Sequence, residues 1–165
     1  ETQEHVLEEV SEIFKANYSD IVNKVTNLYT QYKALQKELE QIKRENAVSN
    51  LDDVIAKAQE INGVKVVTGR FDELDGNALR DLADNIRNKI DTGVVVLASS
   101  FADKASIIAM ATKSALEKGA HCGNIVKKAA AMCGGGGGGR PDMAQAGGKQ
   151  PEKIDEMLSK IDELI

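Results

Sequence analysis

Tryptophan is absent from this 165-residue chain, and three tyrosines and three phenylalanines are all it has of the other two large aromatics. Beyond residue 61 the aromatic side chains are Phe71 and Phe101, too few to stack a series of unpaired bases. The two cysteines, Cys122 and Cys133, cannot form a disulfide scaffold, and with His121 they offer three metal ligands at an unfamiliar spacing. Inert thiols are expected there, with no metal and no other cofactor. Of the two histidines, His5 stands alone in an acidic stretch, and His121 opens a helical run where capping suits it better than proton transfer. No Gly-x-Ser-x-Gly elbow, phosphate-loop lysine motif or His-Glu-x-x-His helix occurs. Ser99 and Ser100 fit a turn as well as a ligand contact, and Asp52-Asp53 has a capping explanation, so no catalytic residue is expected in this chain. Long apolar runs are missing as well: none approaches the roughly 18 residues of a membrane span, and no charged-then-apolar leader opens the chain. The expectation is a soluble, cytoplasmic protein, and Glu1 in place of an initiating Met points to a piece of a longer polypeptide.

The net charge of −5 argues against a nucleic-acid partner until its distribution is considered. Residues 1–61 carry seven Lys/Arg against twelve Asp/Glu, whereas residues 62–165 carry fourteen of each. Within the second half, residues 104–149 hold six lysines and Arg140 against Glu117 and Asp142, a local balance of +5. Such a block is a plausible phosphate footprint, although scattered lysines are often just solvated.

That window contains the most unusual stretch of the chain, residues 134–148, which read GGGGGGRPDMAQAGG. Ordering each glycine backbone costs roughly 1–2 kcal/mol of conformational entropy, so a structured run needs something to pack against it. Flexible linkers are usually Gly/Ser mixtures, whereas here Arg140, Pro141 and Asp142 follow at once. A structured turn is therefore expected. It could allow close approach of another backbone or a ligand, and its N–H groups could converge on an anion.

With its flanks, residues 121–158, HCGNIVKKAAAMCGGGGGGRPDMAQAGGKQPEKIDEML, this block resembles the C-terminal domain of the alanyl-tRNA synthetases. That domain belongs to a wider family appended to DHH phosphoesterases, in which several glycines are usually followed by histidine and then Ala-Ala-Gly. Arg140 stands where that histidine would fall, which favours the synthetase branch, and the Asp-His-His catalytic motif of the phosphoesterases is absent. The resemblance rests on the GRPDMAQAGG continuation more than on the glycines.

From residue 7 to residue 42 the apolar positions Leu7, Val10, Phe14, Tyr18, Ile21, Val25, Leu28, Tyr32, Leu35, Leu39 and Ile42 recur at steps of three and four, with one stutter between Phe14 and Tyr18. A helix to about residue 17 and a second over residues 20–46 are expected, with a third over residues 51–61 ended by Asn62-Gly63. So narrow a stripe must pack on something; closure on itself as a helix hairpin is favoured over a homodimer. Residues 64–68 predict a strand, Asp75-Gly76-Asn77 a helix start, and residues 94–98 a central strand buried on both faces. Residues 105–112 suit strand or helix, and the resemblance implies a strand paired in a hairpin through a turn near residues 101–104. A helix over residues 122–132, a short strand over 143–146 and a last helix with Pro151 in its first turn complete the chain. The predicted class is α+β: an N-terminal helical arm, residues 1–61, and a small α/β domain with a mixed sheet, residues 62–165.

The resemblance implies a non-catalytic tRNA-binding module that grips the outer corner, or elbow, of the L-shaped tRNA. One grip would serve both the aminoacylation and the editing domains of the same synthetase. Shape and backbone contacts would carry recognition, with Lys127, Lys128, Gly136, Gly137, Gly138, Gly139, Arg140 and Lys149 as candidate tRNA-binding residues. A structural alternative stands beside it: the glycines let the helix over residues 122–132 pack tightly, and Arg140 pairs with Asp142. The second functional expectation is a homodimer formed through the helical arm, and no membrane partner is expected.

Overall fold

Two runs of β-branched residues, 64–68 and 94–96, lie side by side at the centre of the fold and set its architecture. The computed structural model describes residues 3–165, and they divide into two compact units with the division after Ile42.

In the first unit, α1 (Gln3–Phe14) gives way to α2 (Tyr18–Ser49) at the stutter in the apolar spacing. Lys15 adopts a left-handed φ of 46° there. The Ser11 hydroxyl donates to the Ala16 carbonyl, and Lys24 Nζ donates to the Phe14 carbonyl at 2.9 Å, so carbonyls freed by the break find partners. Ile21 is the one buried residue among those described up to Ile42. The stripe residues Tyr18, Val25, Leu28, Tyr32, Leu35, Leu39 and Ile42 remain between 43% and 64% exposed. The expected self-closing hairpin is thus not what the described residues form, because the 12 residues of α1 are far too short to cover the 32 of α2.

The second unit also holds residues that the expected arm of residues 1–61 includes. Ala47, at the end of α2, and Leu51, at the start of α3 (Leu51–Ala56), are buried in the core of the body with Val67 and Leu79. The third helix stops at Ala56 instead of continuing to residue 61, and β1 (Gln59–Ile61) follows. Asn62 and Gly63, with φ of 52° and 77°, turn the chain into β2 (Val64–Asp72), and both positive angles match the hairpin turn that Asn-Gly favours. The dipeptide ends a hairpin arm, not a helix.

A parallel pair requires a crossover. Helix α4 (Gly76–Lys89) supplies it between β2 and β3 (Gly93–Phe101), with Val66 beside Val94 in the register. Its start is secured by Asp75, whose carboxylate accepts the Ala78 N–H at 2.8 Å. The chain then reverses through Ala102 and Asp103, both at left-handed φ, into β4 (Lys104–Ala111), the strand expected for residues 105–112. A short α5 (Lys113–Glu117) capped by Thr112 leads to α6 (Cys122–Met132), which has the expected bounds. Two further strands, β5 (Gly136–Gly139) and β6 (Met143–Gly148), precede a 3-10 turn at Pro151 and α7 (Ile154–Ser159).

The six strands lie in the order β1-β2-β3-β4-β6-β5, a mixed sheet with helices packed on both faces, within the expected α+β class. Alternation within each strand sends Val67, Val95, Leu97, Ile108 and Met110 toward α4 and α3. It sends Val66, Val94, Val96, Ile107 and Ala109 toward α6 and α7. β3 is buried on both faces, as its uninterrupted apolar run demands. Ser99 is buried there too, and its hydroxyl accepts the Leu74 N–H at 3.1 Å, which explains the residue without a ligand.

This division of burial makes a prediction. Leu97→Ala, at a position with no exposed surface, should cost about 2–5 kcal/mol in urea denaturation. Leu35→Ala, which is 64% exposed, should stay within about 0.5 kcal/mol when measured at a dilution where the chain is monomeric. A large loss at that dilution would show that the chain itself covers the stripe.

Candidate nucleic-acid interface

Helix α6 ends in a glycine because its last carbonyls need partners that a right-handed continuation would not supply. Gly134, at φ 68°, reverses the chain, and the N–H groups of Gly134 and Gly135 donate back to Ala131 at 3.3 Å and Ala130 at 2.8 Å. This double return is the Schellman arrangement at a helix C-terminus. At the other end, His121 Nδ1 accepts the Asn124 N–H at 3.2 Å, the capping role its position suggests.

Four of the remaining glycines are a strand and not part of the expected turn. β5 pairs antiparallel with β6, Gly136 opposite Gly147 and Gly139 opposite Ala144, and forms the edge of the sheet. The turn itself is Arg140-Pro141-Asp142, closed by the Arg140 N–H donating to the Met143 carbonyl at 3.0 Å. The reason for glycine alternates along the strand. A Cβ on Gly135 would lie 1.9 Å from the Gly147 carbonyl oxygen, one on Gly137 2.3 Å from the Ala146 Cβ, and one on Gly139 2.6 Å from the Ala144 Cα. Nothing lies within 4 Å of a Cβ built on Gly136 or Gly138. Close pairing with β6 therefore demands the odd-numbered glycines. The even-numbered ones lie on the opposite face of the strand, where the fold leaves open space. Gly123 completes the packing, since its Cβ would meet the Gly139 carbonyl oxygen at 2.6 Å. The glycines of the run thus serve close pairing with β6, while the close approach of α6 to the strand rests on Gly123.

The structure divides the candidate cations. Lys127 and Lys128 lie on the exposed side of α6, whose other side, with Ile125, Val126, Ala129 and Ala130, is buried on the sheet. Arg140 holds Asp142 through Nε at 3.2 Å and a terminal nitrogen at 3.2 Å, so its charge is locally balanced, although it stays 72% exposed. An exposed pair of this kind is worth only about 0–1 kcal/mol, so phosphate can compete with the carboxylate. Lys149 is exposed at the end of β6 and has no ion-pair or hydrogen-bond partner among the described residues.

Three concavities adjoin this edge. One of about 380 Å³ opens at the sheet end between Lys104 and Lys149, over Gly135, Gly136 and Gly148. A second of about 380 Å³ shares Ser106, Gly136 and Gly147 with it and reaches Asn77 and Gln145. The third, about 590 Å³, runs along α4 and carries Arg80, Arg87 and Arg140 against Asp81, Asp84 and Asp142. Lys127 and Lys128 line none of the three. Lys104 and Asn77 escape sequence reasoning because strand pairing and the α4 crossover bring them to the glycines from distant positions, and Arg80 reaches the Arg140 turn in the same way; Gln145 lies within the motif itself but carries no charge to mark it. For Lys104 the signal was its place in the cationic window.

No group of three or more His, Cys, Asp or Glu side chains suited to a metal occurs among the described residues. Both thiols are buried, and burial, with the Asp142 carboxylate adding to it, pushes Cys122 up to about 12. Burial raises Cys133 as well. Neither is a thiolate at neutral pH, so neither serves as a nucleophile or a ready metal ligand.

Residues 63–165 match the DHHA1 domain family. The chain is similar to alanine–tRNA ligase of Acetivibrio thermocellus, with 53% identity over 163 residues, which is 99% of this chain and 18% of the relative. It is similar to the same enzyme of Natranaerobius thermophilus, with 43% identity over 96% of this chain and 18% of the relative. Among solved structures, the C-Ala domain from Aquifex aeolicus alanyl-tRNA synthetase matches at a TM-score of 0.60 and 30% identity, covering 66% of this chain and 96% of that one. The chain thus spans 18% of the length of the curated relatives it matches.

The alternation along β5 predicts opposite outcomes at adjacent glycines. Gly137→Ala forces a clash with Ala146 and should destabilise by about 1–3 kcal/mol. Gly138→Ala meets nothing and should leave the thermal midpoint unchanged or raise it. Equal losses at both positions would contradict the pairing.

Proposed function

The chain belongs to the DHHA1 domain family, and from that premise we propose that it is the non-catalytic tRNA-binding domain of an alanyl-tRNA synthetase. It grips the tRNA elbow so that aminoacylation and editing sites elsewhere in a longer protein act on one bound tRNA. The observation that carries this reading is a bare glycine edge strand flanked by exposed cations in a chain of net negative charge. Paucity of aromatics in the body favours contact with a folded RNA's shape and backbone over the stacking of single strands. The likeness in sequence to alanine–tRNA ligases over nearly the whole chain supports the synthetase as parent, with its other domains as further partners and the cytoplasm as the setting.

Footprinting the chain on an alanine tRNA transcript tests the proposal. Protection should centre on the elbow; protection confined to the acceptor stem would contradict it.

A second reading has its own observation. The stripe on α2 is solvent-exposed along most of its length, and a helix face of this kind is satisfied by a second helix. We infer a role in homodimer formation, compatible with RNA binding by the body. Sedimentation at tens of micromolar should show a dimer that Leu28→Glu with Leu35→Glu disrupts. A monomer at that concentration removes the assembly role.

A further inference from the structure

We propose that the RNA contact is centred on the sheet end where β4, β6 and β5 converge, as a cradle for one nucleotide of the RNA backbone. In it Lys104 and Lys149 hold the phosphate, while Ser106, Asn77 and Gln145 face the sugar and base edge. This deepens the tRNA-binding function proposed above and rests on it.

Charge singles out this end of the edge. The concavity between Lys104 and Lys149 has no carboxylate in its lining. Neither side-chain ammonium has a hydrogen bond or ion pair among the described residues, in contrast to Lys118, which donates to the Gly63 carbonyl at 2.7 Å, and Lys89, which reaches Asp52 at 2.8 Å. The larger trough along α4 offers three guanidiniums, yet three carboxylates face them, and Arg87 and Arg140 are already paired with Asp84 and Asp142. An anion gains more between two unpaired ammonium groups than among balanced pairs.

Continuity supplies the rest of the nucleotide. The lysine concavity and its neighbour share Ser106, Gly147 and Gly136, which lie in one row across β4, β6 and β5. Past that row the lining changes from ammonium to neutral hydroxyl and amide groups: Ser106, Asn77 and Gln145. A charged compartment leading into one of hydrogen-bonding side chains matches the order phosphate, ribose, base. Hydroxyl and amide groups can pair with a 2′-hydroxyl as donor or acceptor, which fits RNA. At the shared floor, Gly136 has nothing within 4 Å of the place its Cβ would take, so a ligand can approach the backbone where the fold itself leaves room.

The test is binding of the whole chain to a tRNA transcript by fluorescence anisotropy over a series of salt concentrations. Lys104→Gln and Lys149→Gln should each lower the salt slope by roughly one unit and the double variant by roughly two. Lys127→Gln with Lys128→Gln should leave the slope unchanged. Gly136→Val should weaken binding several-fold with no fall in thermal midpoint, an outcome that a purely structural role for the glycine would not give. Unaltered slopes in the Lys104 and Lys149 variants, with loss at Lys127 and Lys128, would overturn the cradle and leave the tRNA-binding function standing. Absence of tRNA binding by the unaltered chain would instead sink that function itself.

Discussion

The close approach of β5 to β6 is the constraint on which the candidate interface depends. Because a Cβ at Gly135, Gly137 or Gly139 would overlap β6, the last strand of the sheet has to be glycine on that side. Side-chain-free peptide groups are thereby left along its outer edge. An edge strand is normally a liability managed by charge, proline or covering elements. Here a proline and a charged pair stand at its end, in the Arg140-Pro141-Asp142 turn, while the strand itself stays open. The same closeness lets α6 settle on the sheet through Gly123 and buries Cys122 and Cys133 at the two ends of that helix, where they are chemically quiet.

Around this edge the structure separates support from contact. One face of the sheet is filled by α6 and α7 and carries the larger of the two apolar clusters. On the other, α4 and α3 cover β2, β3 and part of β4, and concavities remain beside β6 and β5. A chain of net charge −5 can meet RNA on these terms because a phosphate senses charges within about a Debye length, roughly 8–10 Å, more than the distant total.

Local signals account for what was legible in the sequence. Helix α6 could be bounded because it has a capping residue at one end and glycine at the other, and β3 because five consecutive apolar residues have few other uses. Asn62-Gly63 was ambiguous: the pair ends helices and also turns hairpins, and pairing of β1 with β2, a tertiary matter, selected the hairpin. Glycine is among the poorest strand formers, so nothing in residues 136–139 alone announces β5; its partner β6 creates it. The body's claim on Ala47 and Leu51 was hidden for a similar reason, since the local pattern of a helical segment says nothing of which core receives its apolar residues. Of the candidate site, Lys149, Arg140 and the glycines were legible as a contiguous motif. Lys104 and Asn77 were not grouped with them, because the strand order and crossover that gather them are not local properties, and Gln145, though inside the motif, is neutral and gives no signal of its own.

Amide hydrogen exchange of the whole chain, with and without tRNA, tests the central claim most directly by reading the backbone of residues 136–139. The free chain should exchange its outward-facing glycine amides rapidly, and tRNA should slow them together with their neighbours at residues 104–106 and 147–149. Slowing confined to residues 122–132, with β5 unchanged, would contradict a docking edge built from bare backbone.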